Sequence, residues 1–241
     1  MGLPKLYAVV DRATLDARGV GVGEFARELR DAGVRLVQYR DKVNGPQEIL
    51  RTAREIDAAF EGAEVVRIMN DRADLAVLAG WEGVHVGQGD LAVEAVRRVV
   101  APVNWIEHRP SKSGIAESAP HPAASRRGWG TRVGGIVGIS THKEEQLRAA
   151  IESRPDYVAV GPVFRTGSKA NAEPVVGLEL VRRAREMTEL PIVAIGGITV
   201  ENAASVFDAG ADSVAVIGGL LVEGRSTGEM ATRLRSVGER F

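Results

Sequence analysis

The sequence predicts a single (β/α)8 TIM barrel domain spanning residues 1–241, and two observations carry this prediction. Eight short apolar runs recur along the chain, and each precedes a segment whose apolar residues repeat with helical spacing. Polar residues cluster directly after these runs, where the active-site loops of such a barrel lie. The alternative is an open doubly wound sheet, which usually has fewer strands and a G-x-G-x-x-G turn after its first strand. No such turn follows the first apolar run here.

The first half of the chain supplies four strand–helix units. Residues 6–10 form an apolar run that is typical of a strand buried on both faces. Phe25 and Leu29 have helical spacing, Gly33 ends that helix, and Pro46 suits the first turn of the next one. We predict strands at 6–10, 34–39, 65–69 and 83–86, and helices at 22–32, 46–60, 73–78 and 93–100.

Residues 101–135 interrupt this rhythm. They are rich in Pro, Ser, Gly and Arg and have no sustained period, so we predict a flexible loop inserted after the fourth helix. We favour a solvated spacer over a lid formed by its histidines and arginines. The pattern then resumes, with strands predicted at 136–139, 156–160, 191–195 and 213–217, and helices at 143–152, 178–188, 201–208 and 229–237.

Composition excludes several classes of function. The 241-residue chain has a formal net charge of −1 and so lacks the positive field of a nucleic-acid-binding protein. It has no cysteine, which excludes disulfides and thiolate metal sites. No apolar run approaches the roughly 18 residues of a membrane span, and the N-terminus lacks the apolar core of a signal peptide. We therefore expect a cytoplasmic enzyme acting on small molecules, and a homo-oligomer is compatible with the sequence.

Two acidic residues, Asp71 and Asp90, follow the third and fourth predicted strands. Because parallel strands end on the same rim, the two carboxylates are expected to lie near each other. Mg²⁺ takes oxygen ligands, and one or two carboxylates suffice when waters and a substrate phosphate complete its coordination. The alternative is that each aspartate caps the helix that follows its strand. Together with the phosphate motifs described next, the pair favours a Mg²⁺ site.

Gln38, Arg40 and Lys42 lie at alternate positions at the end of the second predicted strand. Alternation places their side chains on one face of an extended backbone, and in a barrel that face leads to the mouth. Two cations and an amide suit a diphosphate, because arginine forks onto two oxygens and lysine supplies a point charge. In the alternative, Arg40 and Lys42 pair with neighbouring acids at the surface.

Glycine-containing loops after strands six, seven and eight predict a second phosphate site. Thr166, Gly167, Ser168 and Lys169 combine two hydroxyls, backbone N–H groups and a cation, although a polar surface loop would have the same composition. Backbone donors are added by Gly196-Gly197 and Gly218-Gly219, at positions where barrels often bind phosphate. Two phosphate sites imply two phosphorylated substrates.

Two histidines lie near the predicted mouth. His85 is inside the fourth predicted strand, where a structural role is expected. His142 comes just after the fifth and could act as an acid or a base. The alternative for His142 is a position in the first turn of the following helix.

These stretches resemble the thiamine phosphate synthase family. The matching segments are VQYRDK, MNDRADLA, GVHVGQGDL, GISTH, DYVAVGPVFRTGSK, PIVAIGGIT and AGADSVAVI, in the family's order and outside residues 101–135. The resemblance implies a (β/α)8 barrel that joins hydroxymethylpyrimidine diphosphate to thiazole phosphate, with Mg²⁺ as cofactor, and releases diphosphate. It also implies a dissociative reaction, in which the C–O bond breaks before the thiazole nitrogen attacks the pyrimidine methyl cation.

The resemblance further implies a role for each matched residue. The pyrimidine diphosphate would contact Gln38, Tyr39, Arg40, Asp41, Lys42, Asn70, Ser140 and Lys169. The thiazole phosphate would contact Thr166, Gly167, Ser168, Gly197, Ile217 and Gly218. Mg²⁺ would bind to Asp71 and Asp90. Catalysis would come from Arg40, Lys42 and Lys169, which neutralise the departing diphosphate.

Two other functions remain open at this point. The Thr166–Lys169 segment and the position of His142 also resemble the related thiazole tautomerase, in which a histidine after strand five transfers a proton. A non-catalytic protein that binds thiazole phosphate would have the same pockets. Gly218 also departs from the synthase family, whose members commonly have serine at this position. A tautomerase needs no diphosphate site, so Asp90 and the set of Gln38, Arg40 and Lys42 favour the synthase.

Overall fold

The computed structural model describes residues 2–100, 135–166 and 174–241. Their eight strands are parallel and close into a barrel in sequence order, with β8 pairing to β1. The strands are β1 (Leu6–Asp11), β2 (Leu36–Arg40), β3 (Val66–Asn70), β4 (Gly83–Val86), β5 (Ile136–Thr141), β6 (Tyr157–Val160), β7 (Ile192–Ile195) and β8 (Ser213–Val216). The predicted (β/α)8 barrel is confirmed.

Helices alternate with the strands and surround them. They are α1 (Arg12–Arg18), α2 (Val22–Asp31), α3 (Pro46–Ala59), α4 (Ala73–Ala79), α5 (Val93–Val100), α6 (Glu144–Glu152), α7 (Gly177–Met187), α8 (Ala203–Asp208) and α9 (Thr227–Gly238). A 3₁₀ turn at Gly218–Leu220 follows β8. The helices predicted from the sequence correspond to α2 through α9. The sequence analysis missed α1, which begins directly at the end of β1.

Residues along each strand alternate between two apolar layers. One face packs against the helices, as Ala8 and Val10 of β1 do. The other face fills the inside of the barrel with a smaller cluster that includes Tyr7, Val9 and Leu36. Burial on both faces explains why the strands read as continuous apolar runs. Interior positions near the carboxyl end of each strand lead into the mouth of the barrel.

Some of the predictions lie outside the described residues. These are the proposed insertion, apart from Gly135, and the loop residues Gly167, Ser168 and Lys169. Among the helices that the structure describes, none has the length and apolar character needed to cross a membrane.

Candidate active site

A cavity of about 840 Å³ opens at the carboxyl ends of the strands. Its walls come from α1 and from the loops after β5, β6, β7 and β8, and the predicted ligands Ser140, Thr166, Gly197, Ile217 and Gly218 all line it. Within the described ranges, the ionisable side chains that line the cavity are Arg18, His142 and Arg165, and none is acidic. This charge balance suits an anionic ligand.

The loops after β6, β7 and β8 approach one another closely at glycines. A Cβ atom at Gly197, where φ is 64°, would lie 2.5 Å from the carbonyl oxygen of Arg165. One at Gly219 would lie 2.4 Å from the carbonyl oxygen of Ile198. Only glycine permits contacts this close. The N–H groups of Gly197, Gly218 and Gly219 make no hydrogen bond within the part of the chain that is described, so they are free to bind phosphate oxygens.

A second group of polar residues lies on the β2–β4 side of the mouth. Lys42 donates a hydrogen bond through Nζ to the Asp71 carboxylate, and the Asp90 carboxyl group lies close enough to that of Asp71 to raise its pKa. Backbone contacts fix both aspartates, because the Asp71 N–H donates to the carbonyl of His85 at 2.7 Å and Asp90 Oδ2 accepts from the N–H of Gly87 at 2.8 Å. The structure therefore brings together the two predicted metal ligands and one predicted diphosphate ligand.

The environment of Asp71 affects its protonation. Burial raises the pKa of the Asp71 carboxyl group, Lys42 opposes this rise, and the adjacent Asp90 adds to it. Asp71 does not cap α4, because Arg72 occupies the N-cap position and no side chain caps that helix. In the described ranges no group of three or more His, Cys, Asp or Glu side chains could hold a metal. Any ion here would have two carboxylates as its protein ligands, which fits Mg²⁺ with waters and phosphate oxygens.

Gln38 and Arg40 share the interior face of β2. Gln38 is only 6% exposed and donates through Nε2 to the Tyr7 hydroxyl at 2.8 Å. Arg40 donates through Nη1 to Asp11 Oδ2 at 2.5 Å. Asn70 ends the neighbouring strand, β3. The predicted alternation on β2 thus places Gln38 and Arg40 on the barrel interior, with Arg40 at the rim.

Tyr39 and Asp41 are not brought into this group. Tyr39 lies between Gln38 and Arg40, so the pleat of the strand directs its ring outward, where it packs edge-on against Trp81. Its hydroxyl donates to Asp41 Oδ2 at 2.8 Å. Asp41 also accepts hydrogen bonds from the backbone N–H groups of Val43 and Asn44. Burial raises the pKa of Asp41, but these hydrogen bonds outweigh it and hold the pKa below its ordinary value. Both residues organise the loop rather than face the mouth.

A chain of hydrogen bonds crosses the inside of the barrel. Beyond the Gln38–Tyr7 bond, the Tyr7 hydroxyl lies 3.0 Å from the Tyr157 hydroxyl, which in turn lies 2.9 Å from His85 Nδ1. The other ring nitrogen, His85 Nε2, lies 2.8 Å from Ser140 Oγ. Burial raises the pKa of both tyrosines. Both ring nitrogens of His85 are hydrogen-bonded and the residue is buried, which favours the structural role expected from the sequence. Sequence reasoning missed Tyr7 and Tyr157, although both are polar residues at interior positions of otherwise apolar strands.

His142 lies on the wall of the cavity. The helix after it begins at Glu144, with Lys143 as N-cap, so the alternative placement of His142 in a first helical turn is wrong. Its Nδ1 lies 2.5 Å from the carbonyl oxygen of Gly161. Since a carbonyl only accepts hydrogen bonds, Nδ1 carries the proton, and Nε2 bears the lone pair when the ring is neutral.

Comparison with known proteins identifies the family of this chain. A family model described as thiamine monophosphate synthase matches residues 6–108 and 122–220. The chain belongs to the thiamine monophosphate synthase family. Within the family, a thiamine-phosphate synthase from Koribacter versatilis is 45% identical over 225 residues, which cover 92% of each protein. One from Methanoregula boonei is 36% identical over 212 residues, covering 88% of this chain and 83% of that protein.

A solved protein structure has the same fold. The thiamine phosphate pyrophosphorylase from Pyrococcus furiosus superposes with a TM-score of 0.75 at 24% identity, covering 98% of this chain and 96% of that one. At 24% identity this structural similarity shows the barrel fold and nothing further. Membership of the thiamine monophosphate synthase family rests on the family model and on the curated relatives.

Proposed function

We propose that this protein is a transferase that makes thiamine phosphate in thiamine biosynthesis. It would transfer the hydroxymethylpyrimidine group from its diphosphate onto the nitrogen of thiazole phosphate and release diphosphate. The single observation that carries the proposal is that one barrel mouth brings together two groups of polar residues, each suited to an anion. One is the basic cavity over β5–β8, and the other is the set of cations and paired acids over β2–β4. The names of the curated relatives support the same reaction.

The β2–β4 half would hold the pyrimidine diphosphate. Arg40 and Lys42 place two cations at its rim, and both already contact a carboxylate there. Their charges would neutralise the diphosphate as it leaves, which is the largest electrostatic demand of a dissociative reaction. Gln38, Asn70 and Ser140 would bind the rest of the substrate, together with Lys169.

Mg²⁺ would bind between Asp71 and Asp90 in the same half. Two adjacent carboxylates, one of which has a raised pKa, suit a divalent cation because it relieves the repulsion between them. When bound, the ion would supply charge stabilisation for the diphosphate oxygens. Hydrogen bonds with the backbone of Gly87 and His85 hold the two aspartates in position for the ion.

The cavity over β5–β8 would hold the thiazole phosphate. The N–H groups of Gly197, Gly218 and Gly219 and the hydroxyl of Thr166 would bind the phosphate, with Ser168 and Gly167 as further ligands. Holding the thiazole nitrogen against the pyrimidine methylene group converts a bimolecular step into a positioned one. No general base is required, because the attacking nitrogen carries a lone pair and no proton.

An assay of diphosphate release tests the proposal. The wild-type protein should release diphosphate only when both substrates and Mg²⁺ are present, with thiamine phosphate as the second product. Asp71→Asn and Asp90→Asn should each reduce the rate by on the order of 10²-fold or more, since each removes a charge from the ion's site. Asp74→Asn is the matched control, because Asp74 lies on α4 and pairs with Arg72 in solvent. Mg²⁺-independent turnover, or full activity in both variants, would refute the proposal.

His142 supports a second candidate, a thiazole tautomerase. Its Nε2 lone pair at the cavity wall is suited to proton transfer. The test is isomerisation of a thiazole carboxylate phosphate in the absence of Mg²⁺, together with its loss in His142→Ala. A third candidate, a non-catalytic binding protein, would bind thiazole phosphate tightly and turn over neither set of substrates. The synthase proposal expects neither result.

A further inference from the structure

Asp11, the last residue of β1, is a buried carboxylate whose two oxygens bind different partners. It is 1% exposed. Its Oδ1 accepts hydrogen bonds from the N–H of Thr14 at 2.9 Å and from the Thr14 hydroxyl at 2.6 Å. Its Oδ2 accepts from Arg40 Nη1 at 2.5 Å. One carboxylate oxygen thus serves a helix, and the other serves a cation of the candidate active site.

The Asp11–Arg40 pair is set by the register of the barrel. Asp11 and Arg40 are directly paired on adjacent strands, so both reach the rim on the interior face. Arg40 is the one ion-pair partner of Asp11 among the described residues, and a buried charge with a single partner depends strongly on it. Within those residues only Nη1 of the Arg40 guanidinium has a protein partner. Its other N–H donors have no partner among the residues that the structure describes and can bind a ligand.

The other oxygen of Asp11, Oδ1, stabilises the helix α1, which forms part of the wall of the cavity over β5–β8. By capping α1 it fixes the start of a seven-residue helix, and a short helix depends strongly on its cap. Ala13, Thr14, Ala17 and Arg18 of α1 line the cavity over β5–β8. Asp11 is therefore in contact with a component of each half of the mouth.

We propose that Asp11 is a positioning residue that aligns Arg40 for a diphosphate and, through α1, shapes the adjoining cavity. This inference rests on the proposed function for the identity of the two substrates. Holding the Arg40 guanidinium in place before the ligand arrives removes the cost of ordering a long side chain on binding. The carboxylate acts through Arg40 and α1 and needs no contact with either substrate.

Two substitutions separate the duties of Asp11. In Asp11→Asn an amide oxygen can still accept from Thr14, but an NH₂ group then faces Arg40 and cannot accept its hydrogen bond. In Asp11→Ala both duties are lost. We expect Asp11→Asn to weaken binding of inorganic diphosphate in the presence of Mg²⁺ by about tenfold, measured by calorimetry, and to change the KM for thiazole phosphate by less than about twofold. Asp11→Ala should affect both quantities. Asp16→Asn, on the same helix and half-exposed, is the matched control.

A double-mutant cycle with Arg40→Ala decides whether Asp11 acts through Arg40. If it does, Asp11→Asn adds no further loss of diphosphate binding once Arg40 is removed. An equal loss in both backgrounds, or wild-type diphosphate binding by Asp11→Asn, would overturn the inference. If Asp11→Ala does not fold, Asp11→Asn and the double-mutant cycle still test the inference, because the asparagine retains the cap of α1.

Diphosphate binding is measured without turnover, so this test fails separately from the proposed function. A wild-type protein that forms thiamine phosphate while Asp11→Asn binds diphosphate normally would remove only the role of Asp11. A wild-type protein that binds diphosphate but forms no product would contradict the proposed function, and the cycle would still measure the Asp11–Arg40 coupling. A wild-type protein that binds no diphosphate would overturn both.

Discussion

Gly138 of β5 shows how one missing side chain makes room for the polar chain inside the barrel. A Cβ atom at this position would lie 2.0 Å from Cζ of Tyr157, far inside van der Waals contact. The Tyr157 hydroxyl bonds both Tyr7 and His85. The absence of a side chain at Gly138 therefore leaves the space that the Tyr157 ring occupies, and both hydrogen bonds depend on the ring being there.

Gly138→Ala should displace the Tyr157 ring and destabilise the protein. Overpacking of a filled core costs about 1–3 kcal/mol, and the loss of buried hydrogen bonds adds to that cost. Urea unfolding of the variant should show a correspondingly lower free energy of unfolding. Gly89→Ala is the control, since a Cβ there meets nothing within 4 Å. Equal stability of the two variants would show that Tyr157 has room to move.

At the scale of single elements, α1 is the helix that the sequence analysis did not predict. Leu15 is the one buried residue of this seven-residue helix, so no apolar periodicity can be recognised over its length. Its cap, Asp11, reads in the sequence as the polar end of a strand. The helix α4 is equally short but buries three apolar residues, Ala73, Leu75 and Ala76, and this apolar spacing made it predictable.

Arg18 at the end of α1 gives a prediction specific to this element. It lines the cavity and donates through Nη1 to the carbonyl of Leu221 at 2.7 Å, which holds its charge near the loop after β8. We expect Arg18→Ala to raise the KM for thiazole phosphate about fivefold, or roughly 1 kcal/mol for an exposed charge, with little change in kcat. Steady-state kinetics with saturating pyrimidine diphosphate would measure this.

The control for Arg18 lies on the same helix. Arg12 pairs with Asp16 and does not line the cavity. Arg12→Ala should therefore leave the KM for thiazole phosphate unchanged. A larger effect at Arg12 than at Arg18 would mean that α1 matters through its stability and not through the charge that it presents.

At the scale of the whole molecule, the sequence predicted the barrel because its strands are buried on both faces. Predicted and observed element bounds differ by no more than two residues at either end. The same pattern places Gln38 and Arg40 on the interior face and could have excluded Tyr39, which lies between them. The bond between Tyr7 and Tyr157 joins residues 150 positions apart. Only closure of the barrel brings them together, so neither residue stood out in the sequence.

The buried tyrosines of the barrel predict its behaviour at alkaline pH. Burial is the largest cause of a raised pKa at Tyr7, Tyr39 and Tyr157, which are all the tyrosines of the chain. Above the ordinary pKa of about 10 the unfolded chain loses these protons and the folded protein retains them. The free energy of unfolding should therefore fall as the pH rises above about 10.

An absorbance titration of the phenolate groups would measure this behaviour. The phenolate signal should appear only together with the loss of near-UV circular dichroism, when the protein unfolds. A tyrosine that titrates near pH 10 in the folded protein would contradict the burial of these side chains.

The central claim is that the mouth of the barrel holds a divalent ion and a diphosphate beside the thiazole cavity. A crystal structure with Mn²⁺, used as an anomalous stand-in for Mg²⁺, and inorganic diphosphate tests it most directly. We predict an anomalous peak between the carboxylates of Asp71 and Asp90, with the diphosphate in contact with Arg40 and Lys42. An ion bound elsewhere, or a diphosphate far from Arg40, would contradict the claim.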